Sequence, residues 1–244
     1  MNVAEFKIQL LTLAERNGCK ALFTEERATL FCRLTEHMLA VNESFNLTAI
    51  KEPSRIALLH YIDSLKGASV IPEGAHVIDI GCGAGFPSLP LAICRPDLEI
   101  LAVDSTAKRV RYVEETAKML GLSNIKTMAA RAEELGKSAD FRERFDCATA
   151  RAVASLPVLC ELCLPFVKIG GIFAAMKGKS VADEVAASKH AIAVLGGRLG
   201  GVEDTPLYDL SGEKHDHATV LIQKEKRTPD IYPRLYTKIA KAPL

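Results

Sequence analysis

Residues 77–87 read Val77-Ile-Asp-Ile-Gly-Cys-Gly-Ala-Gly-Phe-Pro87: a short β-branched run that gives way to three alternate glycines. The run His76–Ile80 has the apolar, branched character of a strand buried on both faces, and Leu89–Cys94 beyond the loop is expected to be helical. A strand, a glycine turn and a helix in that order make the ligand-binding corner of a parallel α/β sheet. Gly81, Gly83 and Gly85 remove side chains there, so the backbone is able to approach a ligand closely. The dinucleotide pattern Gly-x-Gly-x-x-Gly requires glycine at its sixth position to seat a pyrophosphate. That position is Phe86, so the pattern fails.

Downstream, helix and strand alternate. Leu98–Val103 is expected as a strand ending at Asp104, followed by a helix over 106–120 that Gly121 stops. Further strands are expected at 125–129, 145–149 and 171–176, with helices at 155–166, where Pro157 fits the first turn, and at 180–195. Two last strands, 202–210 and 217–223, have no helix between them, which implies one antiparallel member. Upstream, apolar spacing predicts helices over 3–17, 25–41 and about 53–66, the second capped by Thr24 with Glu25 and Glu26 behind it. The fold class is therefore α/β: a Rossmann-like, mostly parallel seven-stranded sheet with one antiparallel strand and an N-terminal helical extension. We divide the chain into that extension (1–70), a ligand-binding domain (71–225) and a basic C-terminal tail (226–244).

The chain of 244 residues is 48% hydrophobic and 25% charged, with a net charge of +1, so any polyanion-binding surface must be local. In the tail, Lys224, Lys226, Arg227, Arg234, Lys238 and Lys241 face Glu225 and Asp230, an excess of about four positive charges. No basic-then-apolar leader and no apolar run near the ~20 residues needed to span a bilayer are evident, and we expect a cytoplasmic protein. Seven dispersed cysteines fit a reducing compartment. Cys160-Glu-Leu-Cys163 has half the spacing of a metal site without a second pair, and is read as buried helix. No metal is expected.

Asp79-x-Gly81-x-Gly83-x-Gly85 resembles the first motif of class I methyltransferases. That resemblance implies S-adenosylmethionine as cofactor, with the loop beneath its methionine part and Asp79 near its amino group. Asp104 stands where a second acid accepts ribose hydroxyls, and also reads as a cap for the following helix. Ala132 and Glu133, after the third strand, fall where such enzymes meet adenine. The end of the fourth strand faces the transferred methyl in that class. Here it reads Thr149-Ala-Arg-Ala-Val153, which carries neither the Asn/Asp-Pro-Pro-aromatic motif of amino-group methylation nor a Pro-Cys nucleophile.

The ordered set Asn46-Leu-Thr48, His60-Tyr-Ile-Asp63-Ser-Leu65, Asp79–Pro87, Ala150-Arg151-Ala152, Lys177-Gly178 and Tyr232-Pro-Arg234 is similar to the glucose-inhibited division protein B family. These are bacterial 16S ribosomal RNA guanine-N7 methyltransferases, and the similarity spans nearly the whole chain. It implies contacts to S-adenosylmethionine from Gly81, Phe86, Ala132, Glu133 and Arg151, with S-adenosylhomocysteine as a product. It implies methylation of guanine 527 in the 530 loop, with 16S RNA or the small ribosomal subunit as partner of a monomeric, membrane-free protein. Two positions depart from the family: Val41-Asn-Glu-Ser-Phe45 lacks the usual tryptophan, and Leu235 replaces a lysine. Guanine N7 carries a free lone pair, so alignment rather than a general base is expected to supply the rate. Arg151 is expected to orient guanine or cofactor, or otherwise to pair with Asp146 or Asp104. His60 and Asp63 share one helix face and are expected to dock that helix. His215 and His217 are read as sharing one strand face, at the surface or in the core. Local RNA affinity is expected from Arg109, Arg111, Lys177, Lys179 and the tail. Two other readings stay open: a small-molecule or protein acceptor, and a nucleotide-sensing module without turnover.

Overall fold

The computed structural model describes residues 1–178 and 181–244. The strands are β1 (His76–Ile80), β2 (Glu99–Asp104), β3 (Ile125–Ala129), β4 (Phe145–Arg151), β5 (Val167–Lys177), β6 (Gly197–Asp204), β7 (Leu207–Tyr208), β8 (Lys214–His215) and β9 (Ala218–Lys224). The helices are α1 (Val3–Arg16), α2 (Glu25–Asn42), α3 (Pro53–Ile56), α4 (Asp63–Gly67), α5 (Ser88–Cys94), α6 (Ala107–Leu120), α7 (Ala132–Leu135), α8 (Leu156–Cys163), α9 (Val181–Val194) and α10 (Tyr236–Lys241). Seven strands form one sheet in the order β3-β2-β1-β4-β5-β9-β6, and β7 pairs with β8 in a separate hairpin. All neighbours from β3 to β5 are parallel; β9 runs antiparallel to both β5 and β6. The chain leaves β1 toward β2 and β3, then returns to β4. The crevice at the carboxyl ends of β1 and β4 is thus the topological switch point.

Alternation along each strand covers the sheet on both faces. Val77, Ile100, Ala102 and Cys147 join a cluster with Phe6, Leu10 and Phe31 of the N-terminal helices. Ile78, Ile80, Ala148 and Phe173 join a second cluster with residues of α8, α9 and α10. Cys160 and Cys163 lie in α8 inside that second cluster, fully buried, and burial raises both thiols, Cys160 to about 12. No helix among the described residues is long and apolar enough to cross a membrane.

Local signals act as their chemistry requires. Thr24 Oγ1 accepts from Arg27 N at 3.2 Å to cap α2, and Gly121 in the left-handed region ends α6. Pro157 lies in the first turn of α8. Two expectations need correction. The strand placed at 202–210 is two elements: β6 begins at Gly197, and Thr205-Pro206 separates it from β7. Gly196, at φ +81°, ends the preceding helix, and a Cβ there would meet Lys226 O at 2.2 Å. Only glycine allows that chain reversal against the backbone beyond β9, and the strand starts directly after it. The third helix also differs: Ala57–Ile62, between α3 and α4, is π-helical.

Candidate functional site

The loop after β1 is held from below. Gly81 N and Cys82 N both donate to Val103 O of β2, at 2.8 and 3.0 Å. Asp104, at the end of β2, accepts from Gly83 N at 3.0 Å through Oδ2 and from Thr106 N at 2.8 Å through Oδ1. Its capping and loop-tying roles therefore coexist. One carboxylate clamps the glycine loop to the start of α6, and lone pairs remain for a ligand.

Two hollows open above this loop. The larger, about 500 Å³, is lined by Leu47, Thr48, His60, Gly81–Ala84, Phe86, Asp104–Thr106, Arg109, Arg151–Val153 and Tyr236. The smaller, about 220 Å³, is lined by Ile80, Gly81, Val103–Ser105, Ala130–Glu133, Val153, Leu162 and Tyr236. They share Gly81, Asp104, Ser105, Val153 and Tyr236, so they are two arms of one cleft. A hollow of about 720 Å³ lies at the other edge of β1–β3, around His76, Leu98 and Glu99. Volume alone would favour it, but parallel sheets bind ligands at their carboxyl ends, and the cleft is there.

The predicted residues divide between cleft and support. Gly81, Gly83, Phe86, Asp104, Ala132, Glu133 and Arg151 line the cleft. Asp79 lines neither arm. It is 1% exposed, accepting from Ser88 Oγ on one oxygen and from Thr149 Oγ1 at 3.1 Å on the other. Burial raises its carboxyl to about 6 against the pull of those hydrogen bonds. Gly85 also faces away, for a Cβ there would meet Leu89 Cδ1 at 2.5 Å in the packing of α5. Gly81 is different: at φ +74° it lies beneath Val153, whose Cγ2 a Cβ would meet at 2.6 Å.

One wall of the larger arm is a polar network joining four separate chain segments. Arg151 Nη1 donates to Leu59 O at 2.7 Å and to Asp63 Oδ2 at 3.1 Å. Arg151 Nη2 meets His60 Nδ1 at 3.3 Å, and His60 Nε2 meets Thr48 Oγ1 at 2.9 Å. Burial, and then the Arg151 charge, lower His60 to about 3, so the ring is neutral; Nδ1 accepts from Arg151 and Nε2–H donates to Thr48. His217 Nδ1 donates to Asp63 Oδ1 at 2.9 Å. Burial pushes the Asp63 carboxyl upward, but the His217 hydrogen bond and the Arg151 charge outweigh it and hold it below the ordinary value. The His60 ring stacks on Phe86 with centroids 4.4 Å apart, and Arg151 Cζ lies 5.6 Å from the same ring. The Leu59 carbonyl that accepts from the guanidinium lies within the π-helical turn. Arg151 Nε is buried without a partner, a donor left over for a ligand.

Arg151 thus pairs with neither Asp146 nor Asp104 but with Asp63, from the helical extension. Those two histidines do not share a strand face: His215 ends β8, while His217 precedes β9 and completes the network. Several expected phosphate contacts are already engaged. Lys177 is 11% exposed, donating to Ala154 O at 2.8 Å and pairing with Glu184 at 2.7 Å. Lys224 is buried on Leu164 O and Thr228 Oγ1, with Glu143 beside it at 3.5 Å. Arg234 donates from its backbone and side chain to the fully buried Glu161. The tail is therefore built into the molecule. Arg109 stays half exposed at the cleft rim and Arg111 and Arg131 stay exposed; Lys179 lies outside the described residues.

Sequence reasoning missed Thr48, Val153, His217 and Tyr236 as site residues. The ordered motifs hinted at Thr48, the reading of the fourth strand's end ran as far as Val153 without giving it a role, and nothing local marked His217 or Tyr236 as site residues.

The model of the family described as GidB, rRNA small subunit methyltransferase G, matches residues 27–205. The chain is 41% identical to the ribosomal RNA small subunit methyltransferase G of Clostridium perfringens (strain 13 / Type A), over 91% of this chain and 92% of that one. It is 42% identical to the protein of the same name from Desulfitobacterium hafniense (strain Y51), over 97% of each. Among solved structures, M. jannaschii TYW2 in complex with AdoMet is similar with a TM-score of 0.53 and 16% identity, over 66% of this chain and 74% of that one. The [4+2]-cyclase SpnF is similar with a TM-score of 0.51 and 18% identity, over 67% and 81%. A protein solved with AdoMet and a cyclase share this architecture, so the fold alone does not assign a reaction.

Proposed function

Given that the chain belongs to the GidB family of rRNA small subunit methyltransferases, we propose that it transfers a methyl group from S-adenosylmethionine to N7 of guanine 527 in 16S ribosomal RNA. The observation that carries this reading is the convergence of Thr48, His60, Asp63, Phe86 and Arg151, scattered in sequence, on one wall of the cleft at the ends of β1 and β4.

The residues present fit the cofactor. Asp104 at the junction of the two arms offers a carboxylate to vicinal hydroxyls, and Ala132 and Glu133 offer backbone and an acid to an amino-purine in the smaller arm. Gly81 gives a floor without a side chain, and Arg151 Nε is the buried donor awaiting an acceptor oxygen. Asp79 and Gly85 act from behind, fixing the loop through Ser88, Thr149 and Leu89. When bound, S-adenosylmethionine supplies an electrophilic methyl on a cationic sulfonium.

A guanine N7 needs no deprotonation before attack, so the protein's task is alignment. Arg151 is held at three points, by Leu59, Asp63 and His60, which leaves its free Nε with one direction in which to donate. Its charge is balanced by Asp63 at 3.1 Å, so the guanidinium would add less than its full repulsion to a cationic cofactor held in the cleft. His60 is neutral and caged, and Asp63 is doubly hydrogen-bonded; neither acts as a proton carrier in this scheme.

Incubation with small-subunit RNA from cells lacking the modification, followed by nuclease digestion and mass spectrometry, tests the reading. We expect 7-methylguanine at a single position. Methylation of another atom, or of free nucleosides at a comparable rate, would refute it.

A further inference from the structure

We propose that Tyr236 is the stacking platform for the acceptor base, a specificity residue supplied by the C-terminal helix; this rests on the guanine methylation proposed above. Tyr236 lines both arms of the cleft and, together with Val153, Gly81, Asp104 and Ser105, forms their junction. Of these, Gly81, Asp104 and Ser105 belong to the sheet edge and form the floor. Val153 follows β4 and lies over Gly81, and Tyr236, from the C-terminal helix, completes the lining of the junction.

A cofactor with its amino-acid part in one arm and its purine in the other has its sulfur near the junction. The attacking base must then enter from solvent past the side chains that border the junction, and Tyr236 is the exposed ring among them. Of the aromatic rings that line the cleft, Phe86 and Tyr236 are not equivalent. Phe86 is 5% exposed and already stacked on His60, whereas Tyr236 is 39% exposed. An extruded purine needs a π-face to replace the neighbours it leaves, and an exposed ring at the mouth offers one.

The ring is carried on a braced element. Ile239 of α10 is fully buried, and Arg234, just before the helix, is locked to Glu161 of α8. Lys238 and Lys241, exposed on other faces of the same helix, offer charge to phosphates around the mouth.

Three variants test the assignment. Y236A is expected to lower kcat/KM for RNA by about 10- to 100-fold, the range of one lost base–aromatic stack. The affinity for S-adenosylmethionine, measured by calorimetry, should stay within about twofold, and Y236F should restore most of the activity. The chain has no tryptophan, so Y236W carries the only indole; its fluorescence should be quenched by undermethylated RNA and not by the cofactor alone. An equal loss of cofactor affinity in Y236A would make Tyr236 a cofactor wall and overturn the proposal. So would unchanged kinetics, failure of Y236F to rescue, or no quenching by RNA. A wild-type protein unable to methylate RNA would instead overturn the reading on which this one rests.

Discussion

Asp63 is the residue on which the cleft wall depends most, since it is 6% exposed and accepts from both Arg151 and His217. Removing one partner of a buried charge pair leaves the other uncompensated, at a cost of roughly 3–5 kcal/mol. We therefore expect Asp63→Ala to lose about that much unfolding free energy in urea titrations, and methylation with it. A loss below about 1 kcal/mol would show that the network does not hold this wall. Two neighbouring groups set opposing pH dependences. His60 falls from 6.5 to about 3 on folding, so its contribution is present above pH 6.5 and is lost progressively as pH falls toward 3. Asp79 rises from 3.8 to about 6, so its contribution is present below pH 3.8 and is lost as pH rises through 6. Between pH 4 and 6 they oppose each other. Relative to wild type, Asp79→Asn should gain stability as pH rises through that window, while His60→Gln should gain as pH falls. Urea titrations at pH 4, 5, 6 and 7 measure both slopes, and parallel profiles would contradict the assignment. The Asp79 result would also mean that a buried carboxylate is kept beneath the loop at the expense of neutral-pH stability.

Helix α10 and the segment before it show what an element gains from distant partners. Arg142 donates to the carbonyls of Gly136, Thr228, Pro229 and Tyr232, and Glu161 receives Arg234. Glu161→Ala is expected to unseat α10: trypsin should then cut at Lys238 and Lys241 well before the rest of the chain, and methylation should fall. Equal digestion rates for variant and wild type would show that the ion pair does not seat the helix. These pairings also explain what could be read from sequence and what could not. The β1 loop, the Thr24 cap and Asp104 are local signals, and each was legible because the groups involved are close in sequence. Lys224 and Arg234 looked like free charges because Glu143 and Glu161, which engage them, lie some 80 and 70 residues earlier. Asp63 and Arg151 were each singled out, yet their pairing across 88 residues has no periodicity to announce it. The π-helical turn was hidden for another reason. It keeps the apolar spacing of an ordinary helix while shifting which carbonyls are free.

At the scale of the whole molecule, the N-terminal helices cannot be regarded as an appendage. Phe6, Leu10, Phe31 and Tyr61 share one apolar cluster with Val77, Ile100 and Cys147 of the sheet. Deleting residues 1–70 would bare that face of the sheet, an apolar surface far larger than soluble monomers tolerate. The 71–244 fragment is expected to aggregate or to show no cooperative unfolding by circular dichroism; a soluble fragment with a cooperative transition would establish independent domains. The same deletion would take away Thr48 and His60, and with them one side of the cleft. Proteins are synthesised from the N-terminus, and the cleft draws on residues from Leu47 to Tyr236. A growing chain that has released its glycine loop from the ribosome therefore still lacks the opposite wall. The cleft is complete only after the chain has been made as far as Tyr236 and has closed on itself.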